Sequence, residues 1–354
     1  MLTPKQSVRK AFEAVEKRRP PFIPWVFAHA ARLEHMPLRR MYSDPTQYTR
    51  CLQNAQKLYG YDAVISGFDP SLELEVCGSP VVWRGEYETP VTAPAKTFDL
   101  DRLKNINVEA AAKTGRSGTV IESLRRIKRV SGQSLATVAV LTGPLTLAAG
   151  LTGRDPIKDL TERPEESLRV LEAAAGFLLK LVQVYCQVEP DIIAFTDRSI
   201  ASGPAAQISM LKPVLSPVLN VIRFYNAFSV LLPGDVVPEN TGNLIDLGFD
   251  GIVAAGVDIN IWNNVRSGRR CVLGKAIPAR ILNSTPPEIQ AYLDSFIKDQ
   301  DGPGVFITTD WEVPPEMPPD NMHLVMKVLG KQQGGGNEHG ADITGQAGSY
   351  QAGH

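Results

Sequence analysis

The sequence predicts a single (β/α)8 barrel, because eight short apolar segments alternate with helical segments and are followed by polar residues. Most of these segments are continuously apolar rather than alternating, as is typical of parallel strands that are buried on both faces. The predicted strands comprise residues 22–26, 62–66, 136–141, 191–196, 229–232, 251–254, 271–273 and 305–308.

Two of the intervening helices have clear signals in the first half of the chain. Residues 44–59 begin after a Ser43 or Asp44 cap, and Pro45 occupies the first turn, where a missing backbone N–H costs little. Residues 164–188 carry leucine and valine at helical spacing. Both segments are therefore predicted to be helices that connect strands.

Two further helices are predicted in the second half of the chain. Residues 238–247 end at Gly248, which tolerates the left-handed conformation of a helix C-cap. Thr285 is the expected cap of a helix that reaches Lys298, because prolines and a carboxylate occupy its first turn.

Two segments depart from the strand–helix alternation. Residues 72–98 are rich in Val, Thr, Pro and Glu, and residues 81–87 predict a hairpin inserted after the second strand. Residues 331–354 contain almost no large apolar side chain and cannot offset the entropy of ordering, so a flexible tail is predicted. The expected organisation is one barrel domain over residues 1–330 followed by this tail.

The composition is that of an ordinary soluble globular protein, with 43% hydrophobic residues, 21% charged residues and a formal net charge of −1. This charge predicts neither nucleic acid nor an anionic membrane as a partner. No apolar run reaches membrane-spanning length, and the polar N-terminus lacks a signal-peptide core. The four cysteines are far apart and form no CxxC pair; they are Cys51, Cys77, Cys186 and Cys271. We therefore expect reduced thiols and a cytoplasmic location.

Polar and aromatic residues follow the predicted strands at the end where parallel barrels place their active sites. Three or four carboxylates, a histidine and two basic residues would surround this opening, a set suited to acid–base chemistry or to holding a metal. The candidates, in chain order, are His29, Arg32, Phe68, Asp69, Asp197, Arg198, Ser202, Asp235, Asp258, Lys275, Asp310, Trp311 and Glu312.

Five segments, residues 3–11, 62–69, 143–148, 273–278 and 284–289, contain motifs in a fixed order. Together these motifs resemble the uroporphyrinogen decarboxylase superfamily, which includes porphyrinogen decarboxylases and cobamide-dependent methyltransferases. The resemblance covers roughly residues 3–330 and implies a barrel that pairs as a homodimer. Asp69 resembles the essential aspartate of the decarboxylases, which binds the pyrrole N–H groups of the substrate. The supporting motifs are the opening helix at residues 3–11, the strand at 62–69, the Gly-Pro-Leu-Thr-Leu-Ala turn at 143–148, and residues 273–278 followed by 284–289.

Departures from the family pattern narrow the expected chemistry. The decarboxylases carry an arginine-rich segment after the first strand, where this chain keeps only Arg32, and their late histidine aligns with Asp310. Without that arginine clamp, a substrate with many carboxylates would bury unpaired charge, so uroporphyrinogen decarboxylation is not expected. The zinc ligands of the thiol methyltransferases align with Leu231, Pro233 and Asp310, and neither Leu nor Pro can ligate zinc. No zinc is therefore expected.

The resemblance then implies methyl transfer from a small methylated substrate, linked to a corrinoid (cobalamin) cofactor or a corrinoid protein. Asp69, Asp197 and Asp310 are the predicted catalytic groups, because such a reaction needs a proton donor for its leaving group. The predicted binding residues are His29, Arg32, Phe68, Arg198, Trp311 and Glu312.

Other interpretations of these residues and of the function stay open. Asp69 can cap a helix, Asp197 can pair with Arg198, His29 can be a hydrogen-bonded core residue, and Trp311 can be core packing. At the level of function, the alternatives are a decarboxylase that acts on another substrate and a non-catalytic accessory protein that binds a corrinoid or a tetrapyrrole.

Overall fold

The computed structural model describes residues 2–14, 19–93, 98–201, 203–236, 238–297 and 304–330. Eight parallel strands form one sheet in the order β1-β10-β9-β8-β7-β6-β5-β2, and β3 and β4 form a separate antiparallel pair. The strands are β1 Phe22–Trp25, β2 Ala63–Ser66, β3 Val81–Val82, β4 Val91–Thr92, β5 Ala136–Thr142, β6 Ile192–Thr196, β7 Phe228–Leu232, β8 Gly251–Ala254, β9 Val272–Ile277 and β10 Val305–Glu312.

Helices cover the outside of this sheet. They are α1 Pro4–Glu13, α2 Ala28–Leu33, α3 Leu38–Met41, α4 Pro45–Tyr59, α5 Ser71–Val76, α6 Leu100–Lys104, α7 Val108–Ala111, α8 Gly115–Ser131, α9 Pro144–Thr152, α10 Pro156–Glu162, α11 Pro164–Cys186, α12 Ala205–Phe224, α13 Thr241–Asp246, α14 Ile259–Arg266, α15 Pro286–Phe296 and α16 Pro319–Val328. Short 3-10 turns span Pro238–Asn240 and Ala279–Asn283.

The sheet closes between its two end strands. The backbone N–H of Asp62, just before β2, donates to the carbonyl of Phe22 at 2.9 Å. The N–H of Phe22 donates to the Asp62 carboxylate at 2.7 Å. The predicted (β/α)8 barrel is therefore confirmed.

The predicted helix ends are confirmed where a capping residue or a glycine determines the end of the helix. Asp44 accepts a hydrogen bond from the N–H of Thr46 at 2.7 Å and caps α4. Thr285 and Glu288 form a reciprocal capping box at the start of α15. The predicted helix at 238–247 is divided into a 3-10 turn and α13, and Gly248 follows with a φ of 93°.

The last two barrel strands are longer than their apolar runs. β9 continues to Ile277, and β10 continues to Glu312, paired with β9 at Thr309 and with β1 at Glu312. The prediction that Asp310 to Glu312 follow the strand is therefore wrong, because backbone pairing continues through polar residues when both neighbours supply partners.

The N-terminal end of the barrel is filled. Phe12 of α1 stacks on Phe228 and Phe306, with ring centroids 4.7 and 5.3 Å apart. A Cβ atom at Gly274 would lie 2.6 Å from the Phe306 ring, so this position leaves room for that ring. The opposite end, where the strands finish, is the end available to a ligand.

Helix α12 is long and apolar enough to cross a membrane by length and composition alone, and 39% of its most apolar window is buried. Its buried face includes Ile208, Leu211 and Leu215, and the helix packs against α11 and β7. Contact with the rest of the barrel accounts for its apolar character.

The insertion after β2 consists of α5, the β3–β4 hairpin, α6 and α7. The predicted hairpin is confirmed, with Val81 paired with Thr92 and Val82 paired with Val91. The hairpin is attached to the barrel, because the N–H of Leu38 donates to the carbonyl of Glu86 at 2.7 Å. The predicted tail at 331–354 lies outside the described residues.

Candidate active site at the barrel mouth

A cavity of about 360 Å³ lies at the C-terminal end of the barrel strands, a size typical of small-molecule sites. Its walls come from the loop after β2, from α5, from the strand β4 of the inserted hairpin and from the end of β10. The lining residues are Phe68, Pro70, Ser71, Leu74, Thr89, Pro90, Val91, Thr92, Trp311 and Glu312. We call this the aromatic cavity.

Aromatic side chains build its inner wall. Phe68 and Trp311 meet edge to face with ring centroids 5.1 Å apart, and Trp25 packs on Phe68 at 5.9 Å. The exposed Arg198 places its guanidinium carbon 4.7 Å from the centroid of the Trp311 ring. These contacts with Phe68 and Arg198 hold Trp311 in place, so the wall exists before any ligand binds.

Trp311 and Glu312 reach this cavity because β10 is irregular at its end. Ile23 pairs with Thr308 and Trp25 pairs with Glu312, so β10 contains two more residues than β1 between these pairs. Extra residues of this kind redirect side chains at the rims of barrels. Consecutive residues of β10 can therefore face the same cavity.

Glu312 is the carboxyl group that lines the aromatic cavity. Its Oε1 accepts a hydrogen bond from the N–H of Ala28 at 2.6 Å, and its Oε2 accepts a longer one from the Thr89 hydroxyl at 3.4 Å. No described Lys, Arg or His forms an ion pair with it. Burial, reinforced by the charge of Asp69, raises the pKa of Glu312 to about 8 despite the Ala28 hydrogen bond. The neutral acid is therefore the main form at neutral pH.

Asp69 lies beside the aromatic cavity, but its carboxylate is fully used. Oδ2 accepts from the Tyr42 hydroxyl at 2.9 Å and from Arg116 at 2.6 Å. Oδ1 accepts from the N–H and the hydroxyl of Ser71 at 2.8 and 2.6 Å. Both oxygens therefore accept from protein donors, and neither is left for a ligand. The geometry therefore favours a positioning role for Asp69 over the predicted catalytic one.

Asp197 caps a neighbouring helix instead of pairing with Arg198. Its carboxylate accepts from the N–H groups of Leu145 and Thr146 at 3.0 and 2.9 Å, and from the Thr146 hydroxyl at 2.8 Å. A Cβ atom at Gly143 would lie 2.3 Å from this carboxylate, so only glycine fits there. Burial raises the pKa of Asp197 to about 6. This contact fixes the start of α9 and does not face the aromatic cavity.

Asp310 is also a backbone cap. Its Oδ1 accepts from the N–H of Ala279 at 2.7 Å, at the start of the 3-10 turn Ala279–Asn283. It is not among the residues that line the aromatic cavity. The prediction that Asp310 faces the substrate is corrected accordingly, because its neighbours Trp311 and Glu312 take that position.

His29 and Arg32 lie outside the aromatic cavity. Both ring nitrogens of the buried His29 have partners, the Tyr59 hydroxyl at 2.7 Å and the Pro315 carbonyl at 3.2 Å. Burial lowers the pKa of His29, which favours the neutral ring. The exposed Arg32 stacks on Tyr87 of the inserted hairpin at 5.2 Å. His29 is therefore a structural histidine here, and Arg32 supports the hairpin.

Three other residues that were predicted to surround the opening are not assigned to the aromatic cavity. Lys275 donates to the Phe296 carbonyl at 2.8 Å, on the helix side of β9. Asp258 caps α14 by accepting from the N–H of Asn260 at 2.7 Å. Ser202 lies outside the described residues. The acidic ring predicted at the opening is thus smaller than expected.

The residues that sequence reasoning missed come from the insertion. Thr89 to Thr92 form one wall of the aromatic cavity, and Leu74 of α5 forms another part. Glu73 is buried behind this wall, where it accepts from the Thr142 hydroxyl at 2.8 Å, and burial raises its pKa to about 7. The sequence signal that could have identified these wall residues was the insertion after a barrel strand, because loops at that position build the active sites of barrels.

A second cavity of about 610 Å³ opens on the other side of Arg116, between α3, the hairpin and α8. It is larger, and its lining includes Arg116, which is paired with Asp69 and Glu75. The Arg116 guanidinium lies there against the rings of Tyr42 and Trp83, at 5.1 and 5.6 Å from their centroids. We place the candidate active site in the aromatic cavity, because that cavity lies at the strand ends and holds the carboxyl without an ion pair.

The metal chemistry of the thiol methyltransferases does not fit these residues. Leu231 is buried in β7 and Pro233 follows it, which leaves Asp310 as one oxygen ligand at the aligned positions. Among the described residues, no group of three or more His, Cys, Asp or Glu side chains is arranged to hold a metal ion.

Comparisons with known proteins agree with this architecture. The family model for uroporphyrinogen decarboxylase (URO-D) matches residues 3–331. The methylcobamide:CoM methyltransferase MtbA of Methanosarcina mazei is 21% identical over 304 residues, which cover 82% of this chain and 87% of that protein. A methylated-thiol–coenzyme M methyltransferase of the same organism is 28% identical over 145 residues, which cover 41% of this chain and 39% of that protein.

Solved structures share the fold. A methyltransferase from Methanosarcina mazei has a TM-score of 0.79 and 16% identity, covering 94% of this chain and 99% of that one. A B12-independent methionine synthase from Shewanella has a TM-score of 0.51 and 13% identity, covering 89% of this chain and 93% of that one. With the family match over nearly all of the described barrel, the chain belongs to the uroporphyrinogen decarboxylase family.

Proposed function

We propose that this protein transfers a methyl group from a small methylated compound, bound in the aromatic cavity, to a corrinoid cofactor or to the corrinoid of a partner protein. The observation that carries the proposal is the aromatic cavity itself, in which Phe68 and Trp311 form an apolar wall beside the protonatable Glu312. The names of the methyltransferase relatives support methyl transfer as the reaction class.

The dimensions of the aromatic cavity support separate binding places for the small molecule and the corrinoid. A volume of about 360 Å³ suits a small methylated donor and is too small to enclose a corrin ring. A corrinoid would therefore approach from outside, where Arg198 and Trp311 lie at the rim. A reduced corrinoid supplies the nucleophile that accepts the methyl group.

The chain's own residues then bind and orient the donor. Phe68 and Trp311 exclude water from the methyl group, while Glu312 contacts the heteroatom to which the methyl group is attached. Thiol activation by zinc is not part of the proposal, because Leu231 and Pro233 cannot ligate the ion.

The direct test is methyl transfer to free reduced cobalamin. The protein is mixed with a panel of O-methyl, N-methyl and S-methyl donors, and the absorbance of the reduced cobalt is followed. We expect its loss with at least one donor, at a lower rate in Trp311→Ala. Phe224→Ala is the matched control, because Phe224 is an exposed aromatic residue at the end of α12.

Other outcomes would favour other functions. Tight binding of cobalamin or a porphyrin without turnover would support the accessory role, and release of CO2 from a carboxylated donor would support a decarboxylase. Unchanged absorbance of the reduced cobalt across the whole panel, with a folded protein, would contradict the proposal.

We also propose that the protein is a cytoplasmic homodimer. Sedimentation of the purified protein would test the oligomeric state.

A further inference from the structure

We propose that Glu312 donates the proton to the leaving group of the methyl donor, so that the aromatic cavity selects methyl ethers or N-methyl amines. This inference rests on the methyl transfer proposed above and deepens it. Ether and amine donors release an oxygen or nitrogen that is strongly basic without a proton, whereas a sulfonium donor releases a neutral thioether.

The two oxygens of Glu312 have different surroundings. Oε1 is held by the N–H of Ala28, the first residue of α2, at 2.6 Å. Oε2 accepts a long hydrogen bond from the Thr89 hydroxyl at 3.4 Å, and both residues line the aromatic cavity. The bond at Oε1 is the shorter one and its donor is a fixed backbone N–H, whereas the Thr89 hydroxyl at Oε2 can rotate, so the proton of the neutral acid belongs on Oε2, where it faces a bound ligand.

The charged groups around Glu312 are arranged to keep it neutral. Asp69 contributes a negative charge, and its own countercharge, Arg116, is committed to Asp69, Ser71 and Glu75. Arg198 is directed at the ring of Trp311.

Neighbouring elements bring no cation to Glu312 among the described residues. His29 of α2 is turned to Tyr59, and Arg32 of the same helix stacks on Tyr87. Thr89 of the hairpin is uncharged. Burial together with Asp69 therefore raises the pKa of the carboxyl to about 8.

The remaining carboxyl groups cannot take this role. Asp69 and Asp197 have their oxygens occupied by structural donors. Asp310 caps the turn that starts at Ala279 and does not line the aromatic cavity. Glu73 is bound to Thr142 behind the cavity wall. Of the described carboxyl groups, Glu312 is the one that lines the aromatic cavity.

The proposed step conserves atoms and electrons. The electron pair for the new bond to carbon would come from the methyl acceptor, a reduced corrinoid. The bond between carbon and the donor's oxygen or nitrogen breaks, and its electron pair stays on that heteroatom. The heteroatom takes the proton from Oε2 of Glu312, which becomes a carboxylate and is reprotonated from solvent.

The test compares Glu312→Gln with the matched control Glu316→Gln, an exposed carboxylate in the following loop. The glutamine oxygen can still accept from Ala28, so the start of α2 keeps its hydrogen bond, and thermal unfolding by circular dichroism checks that the fold is retained. The donors are an aryl methyl ether, an N-methyl amine and a sulfonium salt, with reduced cobalamin as acceptor.

We expect Glu312→Gln to lower kcat with the ether at least about 100-fold, with a small change in KM, as for the loss of a general acid. The wild-type rate should fall as the pH rises through the pKa of Glu312, and Glu316→Gln should behave as wild type. Infrared difference spectra at pH 6.5 should contain a protonated-carboxyl band that is absent in Glu312→Gln.

Two results would overturn this inference while leaving methyl transfer intact. They are an ether rate in Glu312→Gln within a few-fold of wild type, and a protonated-carboxyl band at pH 6.5 that is unchanged in Glu312→Gln. A wild-type protein that is inactive with every donor would instead refute the proposed function, and the proton-donor role with it.

Discussion

The buried ion pair between Arg116 and Asp69 offers the sharpest test of how the barrel mouth is built. Replacing Arg116 with methionine keeps much of the side-chain volume but removes the guanidinium that lies 2.6 Å from the Asp69 carboxylate. The two side chains are 8% and 0% exposed, so little water can replace the lost charge. Asp69 would keep its bonds to Tyr42 and Ser71 but would be left as an uncompensated buried anion.

Removing one partner of such a buried pair typically costs about 3–5 kcal/mol in the free energy of unfolding. We expect Arg116→Met to lose about 3 kcal/mol or more, as measured by urea unfolding followed by circular dichroism at pH 7. The double variant with Asp69→Asn should be more stable than Arg116→Met alone.

The matched control is Arg125→Met on the same helix. Arg125 is an exposed residue that pairs with Glu122 at 2.5 Å, and pairs of this kind contribute about 0–1 kcal/mol. If Arg116→Met were no more destabilising than this control, or if the double variant were less stable than Arg116→Met, the assignment of Asp69 as a positioning residue would be refuted.

Three further predictions concern the pKa of Glu312, a glycine beside Asp197 and the aromatic wall. Because the folded pKa of Glu312 is about 8, above its unfolded value, the folded state binds more protons between about pH 4.5 and 8. Stability should therefore fall as pH rises through this window, and urea titrations should show a smaller fall in Glu312→Gln; an unchanged slope would contradict the shift. Gly143→Ala should displace the Asp197 cap and lower the free energy of unfolding by about 1–3 kcal/mol, whereas Gly176→Ala, with open space around its Cβ, should be neutral or stabilising in thermal unfolding. Trp311→Ala should raise KM for the donor but lower the free energy of unfolding only slightly, since Trp311 is half-buried. The same KM in Trp311→Ala and wild type would show that Trp311 is not part of the binding wall.

The sequence determined the order of barrel elements because the signals involved are local. A continuous apolar run of four to seven residues suits a strand that is buried on both faces, wherever its neighbours come from. Caps such as Asp44 and Thr285 act on backbone groups two or three residues away. These contacts need no knowledge of the rest of the chain, and the family motifs fall within the same elements.

Tertiary structure decided which carboxyl groups are available for chemistry. Asp69 and Asp197 follow strands as predicted, but their partners Arg116 and Thr146 lie 47 and 51 residues away in the chain. Glu312 receives its hydrogen bond from Ala28, 284 residues away, and reaches the aromatic cavity through an irregularity in β10. A carboxyl group is structural or reactive according to the donors that surround it, and those donors come together when the barrel closes.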